Sequence, residues 1–348
     1  CTDCVAGTYA PTTGQASCAA CPTGYVSSLP GRISCTACTQ GYYADQLGLT
    51  TCKTCPSGSF SGTAAAVCTL CPPGQYKPTT SNSCVSCPAG TYSASWGSSE
   101  CTACGLGKYQ DATGQSSCRS CPPGRYASVT GLSLCTACAT GKFQELVGQT
   151  HCNDCVAGTY SSLPAQSRCF DCPKGTYASS TGLASCLPCA TGTFAPVEGL
   201  PNCSQCPSGK YGPQIGLSEC LDCMAGTYNP SVGQAACIAC EVGRAQSLPG
   251  QTDCVDCQEG FYAAVTGLRS CLACAAGKFQ ADPGRTMCSL CPPGYQNPAT
   301  GQAQCTPCAA GTYTAAEGTL NCNACPLGQY QPDTAALSCL TCGPGTFQ

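Results

Sequence analysis

The sequence predicts an array of small disulfide-rich repeats: an elongated, solenoid-like rod of about twenty 17-residue units that carry short β-hairpins and no helix. Three observations predict it. The 348 residues include 42 Cys, 41 Gly and 27 Pro, which together make up close to a third of the chain. Every Cys belongs to a Cys-x-x-Cys pair, and of the 20 steps between successive pairs 18 are 17 residues and two, Cys52 to Cys68 and Cys68 to Cys84, are 16. Three residues after the second Cys of all 21 pairs stands a Gly, from Gly7 to Gly345.

Composition rules out a conventional core. Leu, Ile, Val and Phe amount to about 13% of the chain, below what a globular domain of this length needs, while Cys at about 12% lies above the level of a disulfide scaffold. Closing so many bonds needs an oxidising compartment, so the chain is expected outside the cell, secreted or on the surface. The 14 basic and 17 acidic residues leave a net charge of -3 and form no cluster, which argues against nucleic-acid binding. No apolar run approaches the 18 or so residues of a membrane span.

Each repeat reads the same way along its length. Numbering from the first Cys, positions 1 and 4 are the cysteines and position 7 is the invariant Gly, which calls for positive φ or a close backbone approach. Position 9 is Tyr or Phe in 18 of 21 repeats, the departures being Val26, Ala245 and Gln296. Beside two of these, Tyr25 and Tyr295 have moved one place earlier. A stretch such as Gly90-Thr91-Tyr92 suits a short extended strand, with the aromatic covering the disulfide. Position 14 is Gly in 16 of the 20 complete repeats, often as Thr-Gly or Pro-Gly, and marks a turn that sends the chain back toward the next pair. Residues 1–348 thus form one tandem array, with repeats starting at 1, 18, 35, 52, 68, 84, 101, 118, 135, 152, 169, 186, 203, 220, 237, 254, 271, 288, 305, 322 and 339. Because Cys1/Cys4 and Cys339/Cys342 are ordinary pairs and not caps, the array is expected to be a fragment of a longer chain.

Spacing leaves three pairing schemes open: within each pair, between neighbouring pairs, or interlaced. The neighbour scheme uses 40 of the 42 cysteines and leaves Cys1 and Cys342 over. Pro after the second Cys alternates weakly with a period of 34 residues, which also suits the interlaced scheme. Cys87-Pro88-Ala89-Gly90-Thr91-Tyr92, followed by Cys101-Thr102-Ala103-Cys104, resembles the ephrin-receptor-like cysteine-rich repeats of large secreted and cell-surface proteins. It is also similar to the first loop module of tumour-necrosis-factor-receptor cysteine-rich domains. The resemblance runs over the whole chain, and it implies the neighbour scheme: Cys4 to Cys18, Cys21 to Cys35, Cys38 to Cys52, Cys87 to Cys101 and Cys104 to Cys118. A closed 15-residue loop contributes about 3 kcal/mol in the loop-entropy account.

Paired Cys-x-x-Cys motifs also suit zinc, but ten four-thiolate sites would add about 20 negative charges to a chain poor in cations. No metal and no cofactor is therefore expected. The single His, His151, lies beside Cys152 with no catalytic partner in the pattern, and the chain is not expected to be an enzyme. The glycines recur as turns without the strand-to-helix setting of a phosphate loop. Glycans are the expected modification. Asn202-Cys203-Ser204 is the one sequon, and Thr8, Thr91, Thr159, Thr176, Thr193, Thr227, Thr312 and Thr346, each between Gly and the aromatic, are candidates for O-linked sugar, expected to face outward.

Near-uniform repetition favours a structural part: a component of an extracellular fibre or cell-surface appendage, resembling the mastigoneme hairs of protists, whose partners are further copies or neighbouring fibre subunits. The competing class is a ligand-binding or adhesion receptor ectodomain with a repeat stalk, in which one divergent repeat would carry the site.

Overall fold

The computed structural model describes residues 1–346. Two compact bodies divide it. One comprises Cys1–Val156, Tyr160–Phe170 and Thr181–Ser185, and the other comprises Ala157–Thr159, Asp171–Ser180 and the chain from Cys186 onward. Both are made of the same repeat.

In the first body the repeat that begins at Cys84 shows the construction. The amide of Thr91 donates to the carbonyl of Pro88 at 3.1 Å, closing a turn whose third residue, Gly90, has φ +85°. That is the turn geometry which needs a residue free to adopt positive φ. Thr91–Tyr92 then pairs antiparallel with Thr102–Ala103, Thr91 opposite Ala103 and Tyr92 opposite Thr102. Between the two strands the chain turns at Gly97, φ +74°, and the Cys87–Cys101 disulfide closes the loop with Cα atoms 5.7 Å apart. The second body repeats the plan: Gly209 at φ +80°, Lys210–Tyr211 paired with Leu221–Asp222, and Cys206 bonded to Cys220. Among the described residues there are forty such two-residue strands in twenty two-stranded sheets, and no helix.

The turn at position 14 does not depend on Gly alone. In three repeats that lack it, Ala64, Ala165 and Ala335 take the same left-handed conformation, at φ 57°, 61° and 58°.

Neighbouring repeats are tied by a fixed set of backbone hydrogen bonds. Gly90 N–H donates to Gln110 carbonyl at 2.7 Å, Ser93 N–H to Gln115 carbonyl at 3.2 Å, Cys104 N–H to Gly90 carbonyl at 2.9 Å and Gly114 N–H to Cys87 carbonyl at 2.8 Å. The second body has the same four: Gly209 to Asn229, Gly212 to Gln234, Cys223 to Gly209 and Gly233 to Cys206, at 2.8–3.0 Å. Contact also reaches two repeats ahead. A Cβ on Gly90 would lie 2.2 Å from the carbonyl oxygen of Gly131, and one on Gly209 would lie 2.2 Å from that of Gly250.

The apolar interior is distributed in small clusters, of which two show the pattern. Cys121, Ala127 and Cys135 are buried together with Tyr109 and Leu132 packed against them; Val26, Cys38 and Ala44, with Leu49 and Cys52, form the same group elsewhere. Each cluster joins the second Cys, position 10 and position 15 of one repeat to position 9 of the repeat before and the first Cys of the repeat after. The aromatic of position 9 is only half-buried, as at Tyr92, Tyr160, Tyr177 and Phe194, so it forms the wall of the cluster and not its centre. Phe347 lies outside the described residues.

Candidate functional site

The unit that recurs along the chain is the disulfide loop. Disulfides join Cys4 to Cys18, Cys21 to Cys35, Cys38 to Cys52, Cys87 to Cys101 and Cys104 to Cys118. The same step holds through Cys325 to Cys339. Cys1 and Cys342 are unbonded. The second half-cystine of a pair is the deeply buried one: Cys87, Cys104, Cys121 and Cys206 are wholly inaccessible.

Position 10 is the structural residue that sequence reasoning overlooked. It is buried in every complete repeat except at Ala10, Lys77 and Gln331. Where it is Gln, the side chain braces the loop from inside. Gln144 donates through Nε2 to the carbonyl of His151 at 2.8 Å, while its Oε1 accepts from the Leu146 amide at 3.0 Å. Gln110, Gln246 and Gln280 make the equivalent bonds. Where it is Asn, the brace runs to the preceding repeat: Asn229 Nδ2 donates to Lys210 carbonyl at 3.0 Å, and Asn297 to Lys278 carbonyl at 3.1 Å. The detectable signal was composition, since position 10 is filled by Ala, Ser, Gly, Thr, Asn and Gln, with Lys77 the one charged residue.

The threonines of position 8 are half-buried at Thr8, Thr91, Thr159, Thr176, Thr193, Thr227 and Thr312. The hydroxyls of Thr8, Thr91, Thr176, Thr193, Thr227, Thr312 and Thr346 each donate, in an exposed hydrogen bond, to the carbonyl three residues earlier, at 2.7–2.8 Å. The hydroxyl closes the same turn as the backbone amide, a common use of Thr beside a turn. Asn202 is exposed, and Cys203, the middle residue of its sequon, is bonded to Cys189.

Charge on the loops is paired across the strands. Lys142 meets Asp154 at 2.5 Å, Lys210 meets Asp222 at 2.7 Å and Arg244 meets Asp256 at 3.1 Å, each pair occupying facing positions of one hairpin. Arg244 also bonds to Asp253 and donates to the carbonyl of Cys254. The Lys53 ammonium, 2.7 Å from Asp45, holds that carboxyl below its ordinary range and is itself raised by it. Asp253 is lowered in the same way by the Arg244 guanidinium, with the Cys254 amide assisting. His151 is exposed, with Nδ1 3.4 Å from the Thr150 hydroxyl. Among the described residues no three His, Cys, Asp or Glu are placed to hold a metal ion, and no helix is long and apolar enough to cross a membrane.

A closed loop with Gly at its turn, an aromatic wall and a bond to the next pair, repeated at each step, defines a disulfide-rich tandem repeat of the extracellular type. The profile described as tyrosine-protein kinase ephrin type A/B receptor-like matches the chain in twelve segments, from residues 1–31 through 90–131 and 209–257 to 311–348. The chain belongs to this family and is an extracellular, disulfide-stapled repeat protein. No curated protein matches it.

Proposed function

We propose that the array is a structural component of an extracellular fibre or cell-surface appendage, glycosylated, without catalytic activity, and working through association with its own kind. The supporting observation is uniformity. The repeat-to-repeat bonds recur with the same donors and acceptors at nearly every step, and several of the few charged side chains are held in local pairs across the hairpins. A spacer or filament needs equivalent steps, whereas a receptor concentrates its chemistry in a few. Asn202 and the threonine hydroxyls of position 8 would supply attachment points for the glycans, which would hydrate a surface carrying only 9% charged residues. Electron micrographs of native material labelled with an antibody to residues 1–348 test the reading. Label along filaments or surface hairs is expected. Label confined to single receptors on a smooth membrane would overturn it.

A further inference from the structure

One repeat departs from the rest at its wall. Position 9 of the repeat that begins at Cys237 is Ala245, with Arg244 before it, so this hairpin carries no aromatic ring at either place. The facing residue shows what the ring normally does. Opposite Tyr211, Tyr228 and Tyr262, the residues Leu221, Ile238 and Leu272 are 45%, 48% and 45% exposed; opposite Ala245, Val255 is 64% exposed. Beside this hairpin lies an open cleft of about 480 Å³ whose lining includes Ala245, Val255, Phe261, Asp256 and Arg269. Asp256 is already paired with Arg244, while Arg269 makes no ion pair among the described residues.

The chain also carries one ring too many elsewhere. Trp96, the single Trp of the sequence, stands at a loop tip before Gly97 and is 63% exposed. Four residues on, Glu100 is exposed and makes no ion pair among the described residues. A Trp left in water at a loop tip is costly surface and a favoured anchor for association.

We infer that the Ala245 cleft is a socket for Trp96 of a second copy of this chain, with Glu100 of the incoming loop set against Arg269. The hairpin beside the cleft lacks an aromatic side chain, the knob supplies one, and the two unpaired charges are of opposite sign. Because knob and socket are different surfaces, each copy offers one of each and the contact propagates from copy to copy. The inference rests on the fibre reading and gives it a contact.

The test uses the full 348-residue chain with Cys1 and Cys342 alkylated. Sedimentation is measured over a concentration series together with the emission of Trp96, which reports on this contact alone because no other Trp is present. Wild type is expected to self-associate with a blue shift of the emission. W96A and A245Y, the latter restoring the ring other repeats carry, are each expected to weaken association about tenfold or more, and the double variant to do no worse than either single one. Disulfide mapping of A245Y checks that it folds. Association unchanged in A245Y, with Trp96 emission independent of concentration, would overturn the socket while leaving the fibre reading intact. So would binding of N-acetyltryptophanamide to the cleft of a chain that stays monomeric. Assembly absent in wild type, together with native label confined to single receptors, would remove the fibre reading itself.

Discussion

Gly90 carries two separate demands at one atom. Its φ of +85° disfavours any L side chain, and a Cβ there would meet the Gly131 carbonyl at 2.2 Å. Gly328, at φ +81°, makes only the first demand, since nothing lies within 4 Å of the Cβ position. Gly90→Ala should therefore cost about 3 kcal/mol, conformational strain plus overpacking against backbone, and Gly328→Ala about 1 kcal/mol. Denaturant unfolding of the two variants checks this, and equal losses would mean that the close approach contributes nothing. The charged residues make a weaker demand. Asp45 and Asp253 are held below the ordinary carboxyl value of 3.8 by Lys53 and Arg244, so whatever they stabilise is present above that value and is lost as pH falls through their lower native values. Both are exposed, and exposed pairs contribute little. The unfolding midpoint should stay level from pH 8 to about 4 and slope only slightly below. A steep fall between pH 7 and 5 would point to a buried titrating group that the loops do not contain.

At the scale of the hairpin, two residues per strand cannot hold a register unaided, and the loop is kept in shape by the disulfide at its neck and the position-10 side chain within it. Replacing Gln144 by Leu would leave the His151 carbonyl and the Leu146 amide without their partners. A loss of about 2 kcal/mol is expected, read as a lower melting temperature with the Cys138–Cys152 bond intact. How legible this element was depends on the residue. The invariant Gly of position 7 and the 17-residue step follow from the sequence because each corresponds to a single residue type, and the turn of position 14 because most repeats mark it with Gly. The pairing of Cys87 with Cys101 needed the family resemblance, because all three schemes satisfy the same spacing. Position 10 was not legible: Ala127, Ser161, Gln144 and Asn229 share no hydropathy, and what unites them is a volume small enough, or an amide versatile enough, to fit beside a half-cystine. The second use of the position-8 threonines was not legible either, since the hydroxyl bond to the carbonyl three residues earlier belongs to the turn and not to the strand.

For the whole molecule, the bonds between successive half-cystines have a mechanical meaning. Tension applied along the chain enters one loop at Cys87, crosses the sulfur bridge to Cys101 and leaves through Cys104, so the thirteen residues between Cys87 and Cys101 are bypassed and bear no load. Each of the twenty bridges withholds a length of roughly 40 Å, an extended 14-residue span less the 5.7 Å that the bridge itself covers. Stretching the oxidised chain in a single-molecule force experiment should break the backbone bonds between repeats without any 40 Å step. A thiol reductant should then release such steps one bridge at a time. Steps of that size in the absence of reductant would contradict the load path. Extensibility is thereby set by the redox state of the surroundings: in an oxidising medium the tether is short and resists extension, and each bridge reduced adds slack without severing the line.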